Sequence, residues 1–275
     1  MRTRATIYAT PSLRALDPRT DYHTPHTMDT PTTPATPAAP AWAHLNTDAC
    51  QYYGGLLDAQ MVVTRTKSRQ GMAGSGVRVQ LASADERVLR EMHMLAPISR
   101  ETITRRPGKK DTCVGLLAGD AARRVLEFAA EWCVVKKDLA VAALAALDDP
   151  DVVIPGVEVP DAPDVTLGWA SGFFDVRGEV TPPVPAPAPE PAPEPEPAAS
   201  ADKPRAKAVR ARRATVRIIL PKAEKPLVPS IQKVLGGKVR KSSPCRIVFT
   251  DVPVFLDTVR AHLRVRRMDL ESIAA

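Results

Sequence analysis

Two short stretches, one in each half of the chain, constrain the fold more than any other feature: YGGLLDAQM, Tyr53 to Met61, and ASGFFDVRG, Ala170 to Gly178. Each carries two small residues (Gly54 and Gly55; Ser171 and Gly172), then a bulky apolar pair (Leu56 and Leu57; Phe173 and Phe174), then an aspartate (Asp58; Asp175). On a helix, small residues let a second helix backbone come close, and the apolar pairs face a core. Two such helices in one chain predict a pseudo-twofold seam, with Gly54, Gly55, Ser171 and Gly172 at the contact.

The segments around each motif repeat as well. After the first come strand patterns at MVVTRTKS and GVRVQLAS, where Val77, Val79 and Leu81 alternate with Arg78 and Gln80. A helix follows at SADERVLREMHML, capped by Ser83 or Asp85, with Ser83 and Glu86 at capping-box spacing. ETITRR and DTCVGLLA form a second hairpin, and two helical stretches close the unit. Consecutive hairpins put strands antiparallel, so the class is α+β. Residues 46–148 are one lobe, 149–166 a Pro- and Asp-rich linker, and 167–275 a second lobe of similar order. A low-complexity insert, 181–213, interrupts that lobe. Its first half is Pro-, Ala- and Glu-rich and its second half basic; nine prolines between 182 and 197 predict no regular secondary structure there. Residues 1–45 are Thr- and Pro-rich and predict a disordered tail. The arginines at its start also fit a transit peptide, and Met28 an alternative start.

The chain has 275 residues and a formal net charge of +7, a balance that permits an anionic partner. No apolar run spans a bilayer, so no membrane is expected. The four cysteines, Cys50, Cys113, Cys133 and Cys245, lack metal-ligand spacing. They point to an intracellular reducing compartment, with nucleus, cytoplasm and organelle unresolved.

Motif, repeat and element order together resemble the LAGLIDADG homing endonucleases, in the form that carries two motifs in a single chain. The resemblance covers about residues 46–275 without the insert. It implies a saddle of two pseudo-symmetric αββαββα lobes straddling double-stranded DNA, a monomer with an internal pseudo-twofold. It also implies one acid per motif, at the position before the final glycine, holding divalent metal, usually magnesium. In this sequence those positions are Gln60 and Arg177, and the final glycine is Met61 in the first motif and Gly178 in the second. An amide carbonyl is a weak ligand for a hard cation. An arginine about 4 Å from a divalent ion opposes it by several kcal/mol at an effective dielectric of about 20. By that argument Arg177→Asp restores more than Gln60→Asp. Asp58 and Asp175, mainly structural in the family, are the metal ligands if there are any, and with Glu179 they are the candidate rescuing acids.

Candidate nucleic-acid contacts are Arg78 and Gln80, opposite the apolar parity of their strand, and Arg65 and Lys67 in the strand before. Arg105, Arg106, Lys109 and Lys110 gather at the second hairpin tip. Lys238, Arg240, Lys241 and Arg246 do the same in the second lobe, and Arg210, Arg212 and Arg213 end the insert. The insert falls where the second lobe's first hairpin is expected, which predicts weaker readout there. Three functions fit: a DNA-binding protein with nuclease activity lost or weak and no cofactor; a magnesium-dependent endonuclease or nickase using displaced acids; an intron-RNA maturase or structural RNA-binding protein.

Overall fold

The computed structural model describes residues 40, 42–66, 76–98, 103–106, 112–183 and 213–274. The first lobe begins with helix α1, Thr47–Gln60, capped by Asn46, whose side chain accepts from the Ala49 amide. Strands β1, Met61–Thr66, and β2, Gly76–Ser83, pair antiparallel. Helix α2, Glu86–Glu91, follows. Of the two expected caps, Asp85 takes the role by accepting from the Arg87 amide, while Ser83 instead holds the Asp85 amide. Strands β3, Ile103–Arg106, and β4, Thr112–Leu117, complete a sheet of order β1-β2-β4-β3. Helices α3, Gly119–Trp132, and α4, Lys137–Asp148, close the lobe.

The linker 149–166 has no helix or strand. Thr166 then caps α5, Leu167–Arg177, by accepting from the Trp169 amide. The second lobe runs β5 (Gly178–Thr181), β6 (Thr215–Leu220), α6 (Val228–Leu235), β7 (Lys238–Arg240), β8 (Cys245–Phe249), α7 (Val252–Val259) and α8 (Arg267–Ala274). Its sheet order, β5-β6-β8-β7, repeats that of the first. The α+β class with two lobes of one topology is therefore what the chain adopts. Among the described residues no helix is long and apolar enough to cross a membrane.

One expectation needs correction. The insert does not take the place of the second lobe's first hairpin: β5 and β6 pair antiparallel from Gly178↔Ile218 to Thr181↔Thr215. The insert occupies the turn of that hairpin. Alternation decides this, since Val216, Ile218 and Leu220 are buried and bring β6 onto the core whatever the connection contains. The secondary structure expected for 184–212 lies outside the described residues, as does that of the tail, 1–39.

The lobes meet through α1 and α5. A β-carbon on Gly55 would overlap the Trp169 carbonyl, and one on Gly172 would overlap the Tyr52 carbonyl, so the two backbones touch at symmetric points. Ser171 is fully buried. Gly54 departs from expectation: its empty side meets the Trp132 carbonyl at the end of α3, inside its own lobe. Adjacent helix positions point about 100° apart, so one glycine serves the seam and its neighbour the lobe. Beyond the helices the lobes exchange residues. Val135, after α3, is buried in the second lobe's core, and Val265, after α7, in the first lobe's core. Surface pairs add to this, with Arg87 of α2 on Asp269 of α8 at 2.7 Å.

Replacing Gly55 or Gly172 by alanine gains about 1 kcal/mol of helix propensity, but the obstructing atoms are backbone and cannot turn aside. Each variant is expected to lose about 2 kcal/mol net in urea unfolding, within the range of overpacked sites. Gly156→Ala, with open space around it, should change stability by under about 0.5 kcal/mol.

Candidate functional site

The ends of α1 and α5 are where the family resemblance places chemistry. Both motif aspartates are committed to structure there. The Asp58 carboxylate accepts from the amides of Val134, Val135 and Lys136, at 2.7, 3.0 and 2.8 Å, and from the Trp169 indole at 2.8 Å. Asp175 accepts from the amides of Arg264, Val265 and Arg266, at 3.2, 3.1 and 2.9 Å, and from the Tyr52 hydroxyl at 2.6 Å. Tyr52 and Trp169 stand at the same motif position, so each helix donates an aromatic hydrogen bond to the aspartate of the other. Burial pushes both carboxyls above the ordinary range, and these donors pull them back. With four donors each and almost no exposure (2% and 0%), neither can turn to a metal or act as a rescuing acid. That expectation is withdrawn.

Gln60, at the first acid position, is buried, and neither its Oε1 nor its Nε2 has a hydrogen-bond partner. Arg177, at the second, is neither a solvated helix end nor an unopposed charge. Its Nη2 donates to Glu224 Oε1 at 2.5 Å, from the 3₁₀ turn Lys222–Leu227 that follows β6. Burial raises the Glu224 carboxyl, and Arg177 and Lys136 draw it down. Lys136 is itself buried and donates to the Met61 carbonyl at 2.6 Å, closing the end of α1. Burial lowers its ammonium, with Asp58 opposing. Lys136 and Glu224 line a cavity of 340 Å³ whose other walls are mainly apolar.

These residues do not fit a divalent cation. The amide is weak and enclosed, the two aspartates are saturated, Glu224 is neutralised by Arg177 with Lys136 nearby, and Glu179 is paired with Arg217. Among the described residues no three His, Cys, Asp or Glu side chains gather as a metal site. Glu224 also offsets the Arg177 charge, so the repulsion expected of that arginine is reduced. Arg177→Asp would set a second half-buried acid beside Glu224.

The sheets turn their other faces outward. In the first, register puts Val62 and Thr64 beside Gln80 and Arg78, and Gln80 beside Leu116. Arg65 has the core parity instead, and its guanidinium donates to the Pro150 carbonyl in the linker, so the expected contact gives way to a tether. Arg105 likewise has the inner parity and pairs with Glu86 at 3.1 Å. Arg106 pairs with Thr112 in the strand register. In the second sheet, Lys238, Arg240 and Arg246 share the outward face, with Lys241 exposed just beyond and Arg213 exposed before β6. Glu179 faces outward opposite Arg217 and holds it at 2.6 Å, so its carboxylate is engaged on the sheet face. Lys67, Lys109, Lys110, Arg210 and Arg212 lie outside the described residues.

Sequence reasoning missed Arg217, Glu224 and Lys136. Arg217 was readable, since it alternates with buried Val216 and Ile218. Glu224 had no linear signal, reaching Arg177 across 47 positions that include the insert.

The buried polar groups make a sharp comparison. Asp58→Asn or Asp175→Asn sets an amide N–H₂ against existing donors and should cost about 3 kcal/mol in unfolding. Gln60→Met removes an unpartnered buried amide at similar volume and should gain about 1 kcal/mol. Chemical denaturation of the three variants reads both signs.

No family model matches this chain, and no curated protein sequence does. Solved structures do. The I-LtrWI LAGLIDADG homing endonuclease bound to target DNA aligns over 82% of this chain and 88% of its own, with a TM-score of 0.52 and 14% identity. A double mutant of I-SmaMI aligns over 81% and 88%, with a TM-score of 0.54 and 11% identity. The LAGLIDADG meganuclease I-CpaMI bound to uncleaved DNA aligns over 82% and 90%, at 0.51 and 12%. At these identities the likeness is one of fold, and the fold of this chain is that of the LAGLIDADG homing endonucleases.

Proposed function

We propose that this chain binds double-stranded DNA across the outward faces of its two sheets and does not cleave it. The observation that carries the second half is the pair of motif ends. One presents a buried amide without a partner and the other an arginine neutralised by Glu224. Neither offers a carboxylate to a metal or to a water molecule. The first half is supported by the cations that share the second sheet's outward face, and by the likeness in fold to proteins whose structures hold DNA.

The placement of the described residues supports a role for each. Lys238 and Arg240 stand on the edge strand β7, exposed, and suit phosphates. Arg78 and Gln80, in the middle of the first sheet, suit base edges. Arg177 and Lys136 act inside the protein, one balancing Glu224 and the other closing α1, and neither is assigned to the reaction or to DNA.

Affinity for duplex DNA should fall steeply with salt and be unchanged by magnesium at constant ionic strength. Lys238→Ala with Arg240→Ala should reduce the slope of log K against log salt by about 2, near 0.9 for each phosphate that is no longer neutralised. Gel shift with a duplex pool reads binding, and strand scission on the same gel reads cleavage. Magnesium-dependent cutting by the unmodified chain would overturn the non-cleaving half. Tighter retention of structured RNA than of duplex DNA would overturn the choice of partner.

A further inference from the structure

The two outward sheet faces differ in chemistry. On the first, the registers align Val62, Thr64, Thr66, Gln80, Thr104 and Leu116, together with Arg78 and, at the end of β3, Arg106. Val62 and Leu116 are 46% and 43% exposed, high for large apolar side chains on a sheet. The hydroxyls of Thr66 and Thr104 donate to the carbonyls of Gly76 and Val114, which leaves their methyl groups as the contact they offer. The cations of this face by register are Arg78, in the middle of the sheet, and Arg106, at the end of edge strand β3. The matching face of the second sheet holds Lys238, Arg240 and Arg246, and a fourth cation, Arg217, that is paired with Glu179.

In the major groove the thymine methyl is the apolar group, glutamine matches the N6 and N7 of adenine, and arginine matches the O6 and N7 of guanine. An exposed valine or leucine pressed on a G·C edge strips water from polar groups and returns no hydrogen bond. The same side chain against a thymine methyl loses nothing polar. Lysine and arginine on the other sheet have the opposite preference.

Building on the DNA-binding reading above, we infer that the two lobes accept half-sites of different composition. The first lobe takes an A·T-rich half-site with a guanine opposite Arg78, Arg106 at the sheet edge suiting a phosphate, and the second takes a half-site containing guanines. The asymmetry is a specificity device of this chain's own residues. It concerns the base pairs under the described strands, and it gives the asymmetric site a direction.

Enrichment of a randomised duplex by the full chain tests it. The expected consensus has A·T pairs in one half and guanines in the other, each disfavoured base reducing binding about tenfold. Leu116→Arg, at an exposed position, should change one A·T pair in the first half to G·C and leave the other half alone. Equal composition of the halves would overturn the inference, as would a response of the guanine-containing half to Leu116→Arg. Salt-dependent retention of duplex with no consensus would also overturn it, while leaving the DNA-binding reading intact. No retention of duplex at any salt would overturn both.

Discussion

The close approach of α1 and α5, Gly55 against the Trp169 carbonyl and Gly172 against the Tyr52 carbonyl, is the constraint on which the remaining architecture rests. With no side chain at either position, each helix reaches the other's carbonyls. Only at that approach can Tyr52 and Trp169 cross the seam to the aspartate of the opposite helix. Those aspartates in turn gather the three amides that turn the chain after α3 and after α7. The same turns carry Val135 and Val265 into each other's lobes. Helix contact, carboxylate cap and core exchange are thus one cooperative arrangement, and neither lobe completes its core alone.

That arrangement gives Asp58 and Asp175 a structural duty. Their negative charge is engaged by donors from both halves of the molecule, so substituting either disturbs the seam. The positions two residues further on have no such duty. One holds an amide in an enclosed space, and the other a guanidinium paired with a carboxylate from a distant turn. Charge balance at Arg177 is a local solution to burial, and it removes the electrostatic sign that the motif alone implies.

The fold was legible because alternation and helix periodicity repeat in both halves, and because hairpins are local. Val77, Val79 and Leu81 set the face of β2, so Arg78 and Gln80 could be oriented without a structure. Arg65 could not, since β1 has a short apolar signal and its register comes from pairing with β2. Gly54 and Gly55 are alike in sequence and differ only in helical angle, so the seam glycine could not be told from the lobe glycine. Long-range partners left no trace at all: Glu224 lies on a 3₁₀ turn beyond the insert, and nothing in its neighbours marks it for Arg177.

The position of the insert has a consequence for how such a chain can change. Thr181 and Thr215 are strand partners, so whatever joins them leaves and returns at one place. Closing a longer flexible connection costs only about 0.6 kcal/mol for each doubling of its length. The turn of this hairpin is therefore a point where residues can be added or removed at small cost while the pairing of β5 with β6 is kept. A protein whose core is knitted across two lobes has few places of that kind, and this one lies at the turn of a strand pair whose outward face is basic.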